Sequence, residues 1–104
     1  MKNDKYKQYV DQIVAISNPM KIILFGSYAK ATQGEDSDLD FLVIIPDNAE
    51  SRTITCQLYL DVKRNGKPLD FVVVKESELQ KHKDEYWTVL YSAIRDGVVL
   101  YDAA

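Results

Sequence analysis

The sequence predicts a mixed α/β (α+β) domain, a small β-sheet of three to four strands flanked by helices. Three observations lead there. Short apolar runs at Lys21–Phe25, Asp38–Ile45 and Leu69–Val74 have the length and β-branched content of strands. The stretches around them repeat apolar residues at helical spacing. Turn-forming residues separate the two kinds of segment, at Asn18-Pro19, Gly26-Ser27, Pro46 and Asn65-Gly66-Lys67-Pro68.

Taken in order, Tyr6, Val10, Ile13 and Val14 predict a helix over 4–17, with Asn3 or Asp4 as its cap. Asn18-Pro19 ends it, because the residue before proline resists the helical region. Lys21–Phe25 is a strand buried on both faces. After Gly26-Ser27, residues Tyr28–Thr32 begin a short helix, and 32–37 form a loop. Asp38–Ile45 is the second strand, stopped by Pro46. Ile54, Leu58 and Val62 predict a helix over 51–64, although Thr53, Ile54 and Thr55 also suit a strand. Leu69–Val74 is the third strand. Ser77 caps a helical stretch with Glu76 and Glu78 near its positive end, and Tyr86, Leu90 and Ile94 give its apolar stripe. Gly97 closes it, and Val98–Tyr101 forms a last strand.

The 104 residues fit one domain, 1–104. A chain of this size has little room for a deep pocket, so a large substrate would be gripped by a partner or a second copy. The 13 basic and 16 acidic residues include no basic run, so direct binding to nucleic acid is not expected. Cys56 is the only cysteine, which excludes an internal disulfide and suits the reducing cytoplasm. Among Ile54, Leu58 and Leu60 it reads as a small buried hydrophobe. With a single histidine as well, no Cys/His zinc cluster can form. The N-terminus lacks the apolar core of a signal peptide, and no apolar run approaches the ~20 residues of a membrane span.

The chemistry concentrates in three acids. Strand residues i and i+2 share a face, so Asp38 and Asp40 project together, roughly 6–7 Å apart at the backbone. Two carboxylates opening an apolar strand repel each other, and a cation removes the conflict. Hard oxygen ligands select Mg²⁺ or Mn²⁺ rather than zinc. Asp70 opens the third strand in the same way and reaches the same point if the two strands are neighbours. Three such acids can hold two metal ions for in-line phosphoryl chemistry. Gly26 permits a tight turn and close approach to a ligand, and Ser27 adds a hydroxyl donor for phosphate.

Gly26-Ser27, ten residues, then Asp38-Leu39-Asp40, with Asp70 on a later strand, resembles the nucleotidyltransferase superfamily related to DNA polymerase beta. The short chain and the ending Ala93-Ile94-Arg95-Asp96-Gly97-Val98-Val99-Leu100-Tyr101 resemble its minimal nucleotidyltransferases, the antitoxin partners of HEPN-domain toxins. The resemblance implies the nucleotidyltransferase fold. It also implies two Mg²⁺ held by Asp38, Asp40 and Asp70, and ATP phosphates held by Gly26 and Ser27. Lys30 stands where the family often has arginine, and is a further nucleotide contact; Ala31 stands where it often has glycine. The activity implied is AMP transfer from ATP to a tyrosine of a HEPN ribonuclease, in a type VII toxin–antitoxin pair. Asp70 is then the group that helps deprotonate the acceptor hydroxyl.

Other readings stand beside this one. A binding module would neutralise its HEPN partner by contact alone. A different acceptor would be a small-molecule hydroxyl such as that of an aminoglycoside. Asp36 and His82, in charged stretches, read as solvated, and Ser37 orders a turn. Tyr86, Trp87, Tyr91 and Tyr101 are either core or partner surface, and homo-oligomers are compatible with them.

Overall fold

The computed structural model describes residues 6–26, 39–64, 66, 68–85 and 88–103. Helix α1 (Lys7–Ser17) is followed by strands β1 (Lys21–Phe25) and β2 (Leu39–Ile45), helix α2 (Ser51–Asp61) and strand β3 (Leu69–Lys75). Helices α3 (Glu76–His82) and α4 (Val89–Asp96) then lead to strand β4 (Val98–Asp102). The strands lie in the order β3-β2-β1-β4. β1 is antiparallel to both its neighbours, and β2 and β3 are parallel. The predicted mixed α/β domain with helices on a small sheet is the architecture found.

Strand alternation divides the core in two. Ile22, Leu24, Leu39, Phe41, Val43, Ile45, Leu69 and Phe71 face one side and meet Tyr9, Ile13 and Leu58 of α1 and α2. The Phe41 ring lies 5.9 Å from Phe71 and 6.0 Å from Tyr9, centroid to centroid. Ile23, Phe25, Leu42 and Ile44 face the other side and meet Leu79 of α3 and Leu90 and Ala93 of α4. β1 and β2 lie between neighbours and are buried on both faces along their apolar residues, while Lys21 and Asp40 near their starts are half-buried. β4 is an edge strand with Val98 and Val99 exposed.

Several local expectations change. The first helix ends at Ser17 as expected, but Asn18 closes it in the left-handed conformation (φ 45°) with its N–H bonded to the Val14 carbonyl. The predicted caps Asn3 and Asp4, and the helix and loop over 28–37, lie outside the described residues. α2 is a helix but stops at Asp61, because Val62 turns extended and buries itself. Cys56 is exposed rather than buried. It stands about 200° around the helix from Ile54 and Leu58, and Leu60, its other aliphatic neighbour in sequence, is 83% exposed.

The single helical stretch expected between Ser77 and Gly97 is two helices. The Thr88 hydroxyl donates to the Glu85 carbonyl (2.8 Å) and accepts the Tyr91 N–H (3.2 Å), so the chain restarts at α4. Ser77 lies within α3 rather than capping it; its N–H is bonded by the Asp47 carboxylate at 2.9 Å. The stripe of α4 is Leu90 and Ala93, and Ile94 is exposed. Gly97 ends α4 with φ −78°, not in the left-handed conformation. Glycine is required there by space: a Cβ would run into the Ala93 carbonyl and come within 2.5 Å of Ile23 Cγ2. No helix among the described residues is long and apolar enough to cross a membrane.

Candidate active site

Asp40 and Asp70 are each the second residue of their strand, and the parallel register pairs them directly. Paired residues of neighbouring strands share a face, with the strands about 4.8 Å apart. Asp40 and Asp70 therefore stand abreast on the face that carries Leu42, Ile44, Val72 and Val74 farther along. Asp40 is half-buried and Asp70 exposed. Like charges placed side by side across strands destabilise the sheet, so the pair is there at a cost to the fold.

The same corner receives the end of β1, whose Phe25 pairs with Asp40. Gly26 follows with φ +82°, where side chains are strained. A Cβ on Gly26 would collide with Asp40 Oδ2 and lie 3.3 Å from its Cγ. The carboxylate of Asp40 thus occupies the volume that any other residue would fill. Sequence reading assigned Gly26 to phosphate approach; its contact with Asp40 is visible only in three dimensions.

The residues present fit a hard divalent cation. Two carboxylates converge from adjacent strands, one of them seated against the bare face of a glycine, and no sulfur or imidazole accompanies them. Of the three acids expected, Asp40 and Asp70 are brought together, and Asp38 lies outside the described residues. Ser27 and Lys30 lie outside them as well. Among the described residues no set of three or more His, Cys, Asp or Glu side chains is gathered for a metal. His82 is engaged locally through Nδ1 with Glu85 Oε1 at 2.5 Å.

Two residues with no assignment from sequence, Tyr59 and Arg64, bond the backbone immediately on either side of Asp70. Nothing in their spacing marks them, since Tyr59 falls off the apolar stripe of α2 and Arg64 lies beyond the end of that helix.

The comparisons speak to the family and the fold. The family model for the nucleotidyltransferase domain matches residues 4–99. A candidate nucleotidyltransferase from Sulfolobus solfataricus superposes with a TM-score of 0.63 at 16% identity, covering 97% of this chain and 80% of its own. A toxin–antitoxin structure with AMP-PNP superposes with a TM-score of 0.58 at 19% identity, covering 93% of this chain and 73% of its own. At these identities the likeness speaks for the fold. No curated protein matches the chain significantly. With the family model spanning nearly its whole length, the chain belongs to the nucleotidyltransferase domain family, whose members use a nucleoside triphosphate and a divalent metal.

Proposed function

We propose that the protein is a Mg²⁺-dependent adenylyltransferase that moves AMP from ATP to a protein hydroxyl, a tyrosine of a HEPN ribonuclease toxin, and so acts as an antitoxin. The observation that carries the reading is the Asp40–Asp70 pair in register on one sheet face, with the Asp40 carboxylate seated against Gly26. The toxin–antitoxin neighbour with its ATP analogue supports the choice of nucleotide and of a toxin as partner, and the HEPN class rests on the sequence resemblance.

Asp38, Asp40 and Asp70 would hold two Mg²⁺. When bound, these ions offset the triphosphate charge and acidify the acceptor hydroxyl. Gly26 lets the chain turn towards the β- and γ-phosphates, Ser27 donates a hydrogen bond to them, and Lys30 adds a positive charge. Asp70, exposed at the rim, receives the hydroxyl proton as the acceptor oxygen bonds the α-phosphorus. The bond from that phosphorus to the bridging oxygen breaks, and pyrophosphate leaves with the electron pair.

Incubation with α-labelled ATP and a co-expressed HEPN protein tests this. Label is expected on the partner's tyrosine and is expected to vanish in Asp40→Asn. Neutralisation of the toxin that persists in Asp40→Asn, without label, would replace the proposal by neutralisation through contact.

A further inference from the structure

Among the described residues β3 is an edge strand, with no further strand on one side of its backbone. The Pro68 carbonyl accepts a bond from the Leu39 N–H at 3.0 Å, which turns the even-numbered positions of this segment towards β2. Backbone groups alternate sides, so Leu69 and Phe71 point theirs outward. Those two residues flank Asp70. The Phe71 N–H donates to the Tyr59 hydroxyl at 3.0 Å, and the Arg64 guanidinium reaches the Leu69 carbonyl at 3.5 Å.

The two side chains also hold each other. Arg64 lies 5.7 Å from the centre of the Tyr59 ring and donates to the Tyr59 carbonyl at 3.1 Å. The Tyr59 ring meets Phe71 edge-on at 5.1 Å. The segment carrying Arg64 is tied to α1, where Gln12 Oε1 accepts the Lys63 N–H at 2.8 Å and the Tyr9 hydroxyl donates to the Arg64 carbonyl at 3.4 Å. Side chains thus serve, in place of a strand, the two outward groups on either side of Asp70.

We infer that Tyr59 and Arg64 are positioning residues: they clamp the outer edge of β3 so that the Asp70 carboxylate stays abreast of Asp40 to share a divalent cation. This rests on the active-site reading above. An exposed carboxylate on a free edge would otherwise move with its strand, and ligand sets lose affinity when their supporting contacts are removed.

The test uses the full chain, ¹⁵N-labelled, with Mn²⁺ as the probe. Tyr59→Phe keeps the ring and removes the hydroxyl; Arg64→Met removes the guanidinium at an exposed position. In Tyr59→Phe the Phe71 amide is expected to exchange at least about tenfold faster. Mn²⁺ affinity, read from broadening of the amides at 40 and 70, is expected to weaken about tenfold in each variant with little change in Tm. In an Asp70→Asn background, Tyr59→Phe is expected to weaken Mn²⁺ no further. Mn²⁺ affinity within twofold of wild type in both variants, with or without a fall in Tm, overturns the inference, as does additive weakening in the double variant. If Tyr59→Phe does not fold, Arg64→Met decides by the same criteria. If wild type takes no Mn²⁺ at these amides, the active-site reading fails first and the inference with it. If Asp70→Asn weakens Mn²⁺ while the two variants do not, only the inference fails.

Discussion

The two faces of the sheet are built from the same strands and differ in one respect. The face under α1 and α2 is apolar from its near end up to Lys75 at the far end of β3, with Leu39, Phe41, Val43 and Ile45 beside Leu69 and Phe71. The face under α3 and α4 is apolar only over its far part, with Leu42, Ile44, Val72 and Val74, and at its near end carries Asp40 and Asp70. One face is devoted to holding the sheet together. The other gives up its end positions to charge. On the proposed function, adjacent residues of one strand serve stability and chemistry in turn.

The largest effect should come from the apolar face. Phe41 is fully buried between Tyr9 and Phe71. Phe41→Ala should cost about 3–5 kcal/mol, visible as a large fall in denaturant midpoint, and for a chain this small it should approach loss of folding. Its neighbour behaves oppositely. Asp40→Asn should lower nucleotidyl transfer by about 100-fold or more while the chain remains folded by circular dichroism. If Asp40→Asn leaves the rate unchanged, the division between the faces is wrong.

The two packed glycines sharpen the contrast. Gly97→Ala forces a methyl against the Ala93 carbonyl and Ile23, and should cost about 1–3 kcal/mol in thermal or denaturant unfolding, with the rate per folded molecule unchanged. Gly26→Ala combines a positive φ with collision against the Asp40 carboxylate. It should destabilise by about 1 kcal/mol and also depress transfer, since it displaces an acid of the site. The smallest effect should be a gain. Asp70→Asn removes repulsion beside Asp40 at an exposed position and should raise stability by about 0.2–1 kcal/mol while lowering activity. A loss of stability in that variant would mean that the pair is held by favourable contacts rather than tolerated.

Much of this was legible in the chain. The apolar runs that became β1, β2 and β3 announce themselves because a strand buried on both faces needs no polar alternation, and Pro46 and Gly66 bound them clearly. Asp40 and Asp70 stood out because each breaks such a run at its start. The misreadings came where a local pattern has two solutions. Cys56 lies among aliphatic residues in sequence, yet helical rotation carries it to solvent. Residues 77–97 satisfy helical spacing throughout, but the Thr88 hydroxyl offers the backbone a competing partner and the helix restarts there. Gly97 looked like a conformational glycine and proved to be a steric one, a distinction that depends on Ile23, far away in sequence.

The fold class, the three main strands and the nucleotidyltransferase signature followed from the chain alone, because they rest on local spacing and residue chemistry. That β2 and β3 run parallel with residue 40 against residue 70 is a tertiary fact, set when Phe41 and Phe71 pack together against α1 and α2 and carry the acids into line on the opposite face. The seating of Asp40 against Gly26, and the clasp of Tyr59 and Arg64 on the edge beside Asp70, were likewise decided in space. Such contacts join residues through neighbours that no periodicity within a single segment encodes.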